Sequence, residues 1–107
     1  MPTIRANGVK LYYELHGESG AVLVLNNGII ASTATWAAFQ VPALAPRYRV
    51  LLYDMRGQGR SQKWRPGDPE YTWEAHADDL AALLDALGIE RAHIGGISYG
   101  GELTLVF

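Results

Sequence analysis

The chain has 107 residues, of which 49% are hydrophobic and 19% charged, so it can bury a core and is not disordered by composition. Its formal net charge is −2 and it has no basic stripe, which argues against a nucleic-acid partner. It contains no cysteine, which excludes disulfides, thiolate metal sites and a cysteine nucleophile. Residues 1–5 lack the apolar stretch of a secretory signal, and no window approaches the roughly 20 apolar residues of a membrane span. These features predict a cytoplasmic protein with no membrane partner.

The first part of the chain predicts a hairpin and then a buried strand. Asn-Gly at 7–8 lies between two extended segments, 3–6 and 9–15, and this is the strongest short hairpin signal. The run AVLVL at 21–25 is continuously aliphatic, as expected of a strand that is buried on both faces. It stops at the Asn-Asn-Gly segment 26–28.

The middle of the chain predicts two helices separated by a strand and a loop. Hydroxyl side chains at 32–35 offer caps for a helix that contains Trp36, Phe39 and Leu44. A second apolar strand at 48–53 follows, and then a loop over 55–69 that is rich in glycine, arginine and polar residues. Strands that alternate with helices predict a parallel sheet covered on both faces.

A second helix is predicted from a cap at Thr72 to a stop at Gly88, because apolar residues recur there every three or four positions. The spacing places Trp73 on the buried stripe. It places three aspartates on the solvated side, namely Asp78, Asp79 and Asp85.

The most informative segment is Gly96-Ile97-Ser98-Tyr99-Gly100, which spells G-x-S-x-G between a short apolar run and a group of helix formers. A serine on a sharp turn from strand to helix needs small neighbours, and Gly96 and Gly100 provide them. Such a turn lifts the hydroxyl out of the sheet and directs the following backbone N–H groups at one place. The alternative is an ordinary flexible turn, which would need neither the strand before it nor the helix after it.

Three segments in this order resemble the α/β-hydrolase fold family, over essentially all 107 positions. Asn-Gly-Ile at 27–29 follows the first buried strand, where the family usually has His-Gly-x. The sequence DMRGQGRS at 54–61 is similar to the family's D-x-R-G-x-G-x-S loop, in which Asp54 and Arg56 would be structural. The third segment is the turn around Ser98. The resemblance implies an α/β fold class, with residues 1–107 as the N-terminal part of one domain and no second domain visible.

The same resemblance implies a catalytic site without metal or organic cofactor. Ser98 would be the nucleophile, and the backbone N–H groups of Ile29 and Tyr99 would form the oxyanion hole. A serine here argues against the family's dehalogenases and epoxide hydrolases, which use an aspartate. Trp36 would be a candidate wall of the substrate pocket. The supporting residues would be Asn27, Gly28, Gly96 and Gly100.

The catalytic base is not expected among the three histidines of this chain, His16, His76 and His93. They are scattered, which also argues against a metal site. In the family the acid and then the histidine follow the serine along the chain, so both are expected beyond residue 107. The remainder of a hydrolase chain would therefore be needed to complete the sheet and the triad, and residues 1–107 alone are predicted to be inactive.

Three functions remain open at this point. The first is a serine-dependent hydrolase of carboxylic esters or related acyl compounds, with a small-molecule acyl substrate and an acyl-enzyme at Ser98. The second is an acyltransferase that uses CoA-bound or carrier-bound hydroxyacyl donors, because residues 26–36 are similar to the loop of the hydroxyacyl-lipid synthase that begins rhamnolipid assembly. The third is a non-catalytic interaction module that keeps the fold.

Overall fold

The computed structural model describes residues 2–107; Met1, the first residue of the segment considered for a secretory signal, lies outside the described residues. Among residues 2–107, no helix is both long and apolar enough to cross a bilayer. The elements in chain order are β1 (Thr3–Ala6), β2 (Val9–His16), β3 (Val22–Asn26), α1 (Ala34–Ala37), α2 (Gln40–Leu44), β4 (Arg49–Tyr53), α3 (Trp73–Ala86), β5 (His93–Gly96) and α4 (Tyr99–Val106).

The predicted hairpin is confirmed. Strands β1 and β2 pair antiparallel, with Ala6 opposite Val9. The two turn residues have positive φ angles, 53° at Asn7 and 72° at Gly8, as a type I′ turn requires. Asparagine tolerates this region better than most residues, and glycine enters it without steric cost.

The strands form one mixed sheet in the order β1-β2-β4-β3-β5. Strand β3 pairs parallel with both β4 and β5, whereas β2 pairs antiparallel with β4. The predicted parallel sheet is therefore correct for the last three strands. Because parallel strands end at the same edge of a sheet, the segments that follow Asn26, Tyr53 and Gly96 open onto one edge.

Successive side chains of β4 point to opposite faces of the sheet and belong to two different hydrophobic clusters. Leu51 and Tyr53 join a larger cluster with Leu80 and Leu83 of α3. The other face is covered by a smaller cluster of Leu25, Trp36, Val50 and Leu52. The period of two along a strand explains how one short run of apolar residues serves two cores.

The helix predicted after β3 is wrong in detail, since the structure has two short helices there. The break falls at Phe39, whose side chain is 78% exposed and therefore not a core residue. The Thr33 side chain does not cap α1, because its backbone is already helical (φ −53°, ψ −27°), whereas a capping residue is normally extended. The Thr33 N–H donates to Asp54 Oδ1 at 2.9 Å. Of the hydroxyl side chains that suggested a cap, Ser32 makes a local bond, in which its Oγ accepts from the Ala34 N–H at 3.3 Å.

The cap and the stop of α3 are confirmed, but two of its side chains are misassigned by spacing alone. Thr72 Oγ1 accepts from the Ala75 N–H at 3.1 Å, and Gly88 has a φ of 71°. Trp73, predicted to be buried, is 38% exposed and stacks on Tyr99. Asp79, predicted to be solvated, is 1% exposed because it pairs with a buried arginine.

Candidate active site

The turn between β5 and α4 places Ser98 in a strained and exposed position. Its φ of 54° and ψ of −121° lie in a region that a residue with a Cβ rarely adopts. A side chain at Gly96 would collide with the backbone of Gly100, and one at Gly100 would collide with the backbone of Asn26 and Asn27. The two flanking glycines are thus required by the close approach of α4 to the end of β3.

The loop that follows β3 reaches the same place. A methyl group placed on Gly28 would lie 4.0 Å from Ser98 Cβ and 3.9 Å from the carbonyl oxygen of Ile97. The Ile97 N–H donates to the Asn26 carbonyl at 3.2 Å, which ties the two segments together. Segments 27–29 and 96–100, which are far apart in the chain, are brought into contact because β3 and β5 are neighbours.

Two backbone donors are free at this junction. Within residues 2–107, neither the Ile29 N–H nor the Tyr99 N–H donates to a protein acceptor. Tyr99 is the first residue of α4, where N–H groups have no acceptor within the helix and the helix dipole favours negative charge. Such N–H groups can stabilise an oxyanion.

Asn27 is fully buried and braces this loop against β4 and α1. Its Nδ2 donates to the Tyr53 carbonyl at 2.8 Å, and its Oδ1 accepts from Trp36 Nε1 at 2.8 Å. An indole N–H only donates and a carbonyl only accepts, so the orientation of the amide is fixed. Trp36 is 7% exposed and packs with the smaller core cluster, and its part in a substrate pocket stays a prediction.

Asp54 and Arg56 do not pair with each other. The Asp54 carboxylate accepts from the Thr33 N–H at 2.9 Å and from the Arg60 N–H at 3.0 Å. Arg56 forms two hydrogen bonds with Asp79, at 2.9 and 2.8 Å. Each residue therefore holds a different part of the 54–61 loop in place.

Gln58 is a residue of the site that the sequence did not single out. It is 6% exposed, and its Nε2 donates to the carbonyls of Gly28 and Ile29 at 2.7 and 3.0 Å. It occupies a variable position of the D-x-R-G-x-G-x-S pattern, so no sequence signal distinguished it.

His76 of α3 also belongs to the surroundings of the site, and it is 1% exposed. Its Nε2 faces the Arg56 carbonyl at 3.3 Å, so Nε2 carries the proton and Nδ1 accepts from the Tyr99 hydroxyl at 2.6 Å. Burial lowers the pKa of the His76 ring, and burial is the main cause that raises the pKa of Tyr99 to about 12. Both ring nitrogens of His76 are already engaged.

The other two histidines lie elsewhere. His16 pairs with Glu14 at 2.8 Å on β2, and the ring of His93 meets Tyr48 edge to face. Among residues 2–107 no histidine has a hydrogen bond to Ser98, and no group of three or more His, Asp or Glu residues could hold a metal ion.

Comparison with known proteins shows the family to which the chain belongs. A family model described as the alpha/beta hydrolase fold matches residues 21–107. The chain belongs to the α/β-hydrolase fold family. It is 44% identical over 98 residues to the proposed carbamate hydrolase RutD of Caulobacter vibrioides, a match that covers 89% of this chain and 35% of that protein.

Solved structures of the family superpose closely. The enol-lactonase from Burkholderia xenovorans is 39% identical with a TM-score of 0.86, over 96% of this chain and 39% of that one. An epoxide hydrolase mutant from Vigna radiata is 27% identical with a TM-score of 0.88, over 98% of this chain and 32% of that one. The predicted fold class is confirmed as the N-terminal portion of the α/β-hydrolase fold. The chain spans 35% of the length of the Caulobacter relative and 39% of the length of the enol-lactonase.

Proposed function

We propose that this chain is the N-terminal part of a serine-dependent hydrolase of carboxylic esters or related acyl compounds. One observation carries the proposal. Ser98 is held in a strained, exposed turn beside Gly28, and the free N–H groups of Ile29 and Tyr99 belong to the two segments that meet there. A nucleophile and two donors for the developing charge are the parts that acyl transfer needs in one place.

The proposed reaction has two halves. Ser98 Oγ attacks the substrate carbonyl carbon, its proton passes to a histidine, and the carbonyl electrons move to an oxygen held by the N–H groups of Ile29 and Tyr99. Collapse of this intermediate expels the alcohol, which takes the proton from the histidine, and leaves an ester on Ser98. Water then attacks that ester by the same route, which releases the acid and restores the hydroxyl.

The histidine and its orienting acid are proposed to come from chain that follows residue 107. His76 is a poor substitute because both of its ring nitrogens are engaged by Tyr99 and the Arg56 carbonyl. A proton acceptor must lie within hydrogen-bonding reach of the serine hydroxyl. The family order of serine, acid and histidine supports the same assignment.

The substrate class is proposed from the relatives and from the mouth of the site. Relatives are named as a carbamate hydrolase and an enol-lactonase, and both names describe attack on an acyl carbonyl. Three isoleucines beside the oxyanion loop and the turn are exposed, namely Ile29, Ile30 and Ile97. They favour a substrate with an apolar part.

Turnover of p-nitrophenyl esters, an enol lactone and a carbamate by the full-length protein tests this proposal. Ser98→Ala is expected to lower kcat by at least about a thousandfold, because the nucleophile itself is removed. Ser19→Ala is the matched control, since Ser19 is exposed in the turn before β3, at the opposite end of that strand. Equal rates for wild type and Ser98→Ala would refute the serine mechanism.

An acyltransferase is the second candidate, and the loop at 26–36 favours it. Asn27 stands where the family usually has histidine. The resemblance of residues 26–36 to the loop of a hydroxyacyl-lipid synthase stays a prediction. Supplying hydroxyacyl-CoA or carrier-bound hydroxyacyl donors to the full-length protein distinguishes an acyltransferase from a hydrolase. Condensed product would favour the transferase, whereas free hydroxy acid would favour the hydrolase.

A further inference from the structure

We propose that Gln58 is a positioning residue that sets the direction of the Ile29 N–H in the oxyanion hole. The inference rests on the proposed function, in which that N–H stabilises the oxyanion. It assigns a role to a side chain of the 54–61 loop whose hydrogen bonds go to the oxyanion loop and to its own loop, and not to Ser98.

The side chain of Gln58 connects two loops at the edge of the sheet. Its Nε2 donates to the carbonyls of Gly28 and Ile29 at 2.7 and 3.0 Å. Its Oε1 accepts from the Met55 N–H at 3.1 Å and from Asn27 Nδ2 at 3.3 Å. All four polar contacts are made by a side chain that is almost fully buried, so water does not readily replace them.

The chemistry of these partners fixes the amide in one orientation. The Met55 N–H can only donate, and the carbonyls of Gly28 and Ile29 can only accept. A flipped amide would set its oxygen against two carbonyl oxygens and its NH₂ against an N–H. Gln58 is therefore a rigid link between the start of its own loop and the oxyanion loop.

Holding the Gly28 carbonyl also orients the Ile29 N–H. The two groups belong to one planar trans peptide and point in opposite directions. A carbonyl turned towards Gln58 thus leaves the N–H turned away from the 54–61 loop. The Ala31 N–H also donates to the Gly28 carbonyl at 3.2 Å, but that bond lies within the loop itself and does not fix the loop to the sheet.

Glycine at 28 gives this link its importance. Glycine restricts its own backbone least of all residues, so the peptide that follows it is the one most easily rotated. A displaced donor stabilises the oxyanion poorly, because catalysis by such donors depends on their being placed before the charge develops.

Gln58→Glu in the full-length protein tests the inference. The new side chain has the same length and can still accept from the Met55 N–H, but it loses the donor and sets an oxygen against two carbonyls. We expect kcat to fall about tenfold to a hundredfold while KM stays within about twofold, because the lost interaction acts in the transition state. Affinity for a trifluoromethyl ketone, whose serine adduct carries an oxyanion, is expected to weaken by the same factor as kcat/KM.

Gln62→Glu is the matched control. Gln62 lies one residue beyond the 54–61 loop, and among residues 2–107 its side-chain oxygen accepts only from the Lys10 N–H, at 3.3 Å. The same chemical change at this position is expected to leave kcat, KM and inhibitor affinity near their wild-type values. Gln58→Met, which removes the donor without adding a charge, is expected to reproduce the loss of kcat at unchanged KM.

The outcomes separate the two proposals. If Ser98→Ala retains the wild-type rate, the proposed function and this inference both fall. If Ser98→Ala loses activity but Gln58→Glu and Gln58→Met behave like Gln62→Glu, only the inference is overturned. It is also overturned if the two Gln58 variants lose only thermal stability, or if neither folds, because the side chain would then serve the fold and not one peptide.

Discussion

At Ser98 the fold holds a backbone conformation that costs of the order of 1–3 kcal/mol for a residue with a side chain. The surroundings hold the turn from both sides. The Gly100 N–H donates to the Ile97 carbonyl at 2.9 Å, and the Glu102 N–H donates to the Ser98 carbonyl at 3.1 Å. The proposed nucleophile is thus held in place by main-chain hydrogen bonds of its own turn.

The lowered pKa of His76 predicts how the stability of the protein changes with pH. Burial lowers the pKa of its ring in the folded protein, opposed in part by the hydrogen bond to the Arg56 carbonyl. Below the unfolded value of about 6.5, the unfolded chain binds a proton that the folded chain does not, so stability falls as pH falls. Between pH 7.5 and 5.5, urea unfolding of the full-length protein should show a larger loss of stability for wild type than for His76→Gln. Equal losses would contradict this account.

The sequence could predict Ser98 but not Gln58 or His76, for a physical reason. The turn at 96–100 is formed by consecutive residues, so its flanking glycines predict it from the sequence. Gln58 acts on carbonyls that lie 29 and 30 positions away in the chain, and His76 on a hydroxyl 23 positions away. Such contacts arise only when the sheet brings separate loops together.

At the scale of elements, the close packing of α4 against the end of β3 explains why two adjacent glycines should differ. A side chain at Gly100 would meet the carbonyls of Asn26 and Asn27, both of which belong to backbone that cannot easily move. A side chain at Gly101 would lie 3.4 Å from the nearest atom, the Gly96 carbonyl oxygen. At Gly100 the helix packs too closely against the end of β3 to admit a side chain, whereas at Gly101 a methyl group would make an ordinary van der Waals contact.

Gly100→Ala is therefore expected to lower the free energy of unfolding by about 1–3 kcal/mol. Gly101→Ala is the matched control and should be neutral or stabilising by up to about 1 kcal/mol, because alanine favours a helix more than glycine does. Denaturant unfolding of both full-length variants checks this. Similar stabilities for the two variants would show that the packing at the turn is not as tight as described.

Element types were predicted well where the pattern was long or the turn chemistry was specific. The hairpin at 7–8 and the strands before 26 and 53 were correct within about two residues. Over 32–45 the predicted single helix is two short helices, because the backbone leaves helical values at Phe39 (φ −123°, ψ −54°). The predicted burial of Trp73 was wrong because this residue lies in the first turn of α3, where its ring stacks on Tyr99 outside the core.

At the scale of the whole molecule, Asp79 connects three separate parts of the chain. Its carboxylate accepts from Asn7 Nδ2 in the hairpin turn at 2.9 Å and from the Arg56 guanidinium in the 54–61 loop. It extends from α3 and is almost fully buried. A charge in such a position is stable only because its partners are buried with it.

Asp79→Ala is expected to destabilise the protein by about 3–5 kcal/mol, since among residues 2–107 it leaves the buried Arg56 charge with Asp68, at 3.5 Å, as its remaining carboxylate partner. Asp78→Ala is the matched control, because Asp78 is the adjacent residue of the same helix and is exposed. Its effect should stay within about 0.5 kcal/mol. If urea unfolding gave equal values for the two variants, Asp79 would not have the connecting role described.

The global arrangement was predicted in part. Alternating strands and helices indicated a parallel sheet, but not the strand order β1-β2-β4-β3-β5. Strand order depends on pairing between distant segments, and hydrophobic period carries no information about it. The same order makes β3 and β5 neighbours and so brings Gly28 to Ser98.

The central claim is that the Ser98 hydroxyl is the nucleophile at this turn. Fluorophosphonate labelling of the full-length protein, followed by mass mapping of its peptides, tests it most directly. We predict a single label on Ser98 that is lost in Ser98→Ala and kept in Ser19→Ala. Labelling that survives in Ser98→Ala, or no labelling of the folded wild-type protein, would contradict the claim, and the second result would favour a non-catalytic interaction module.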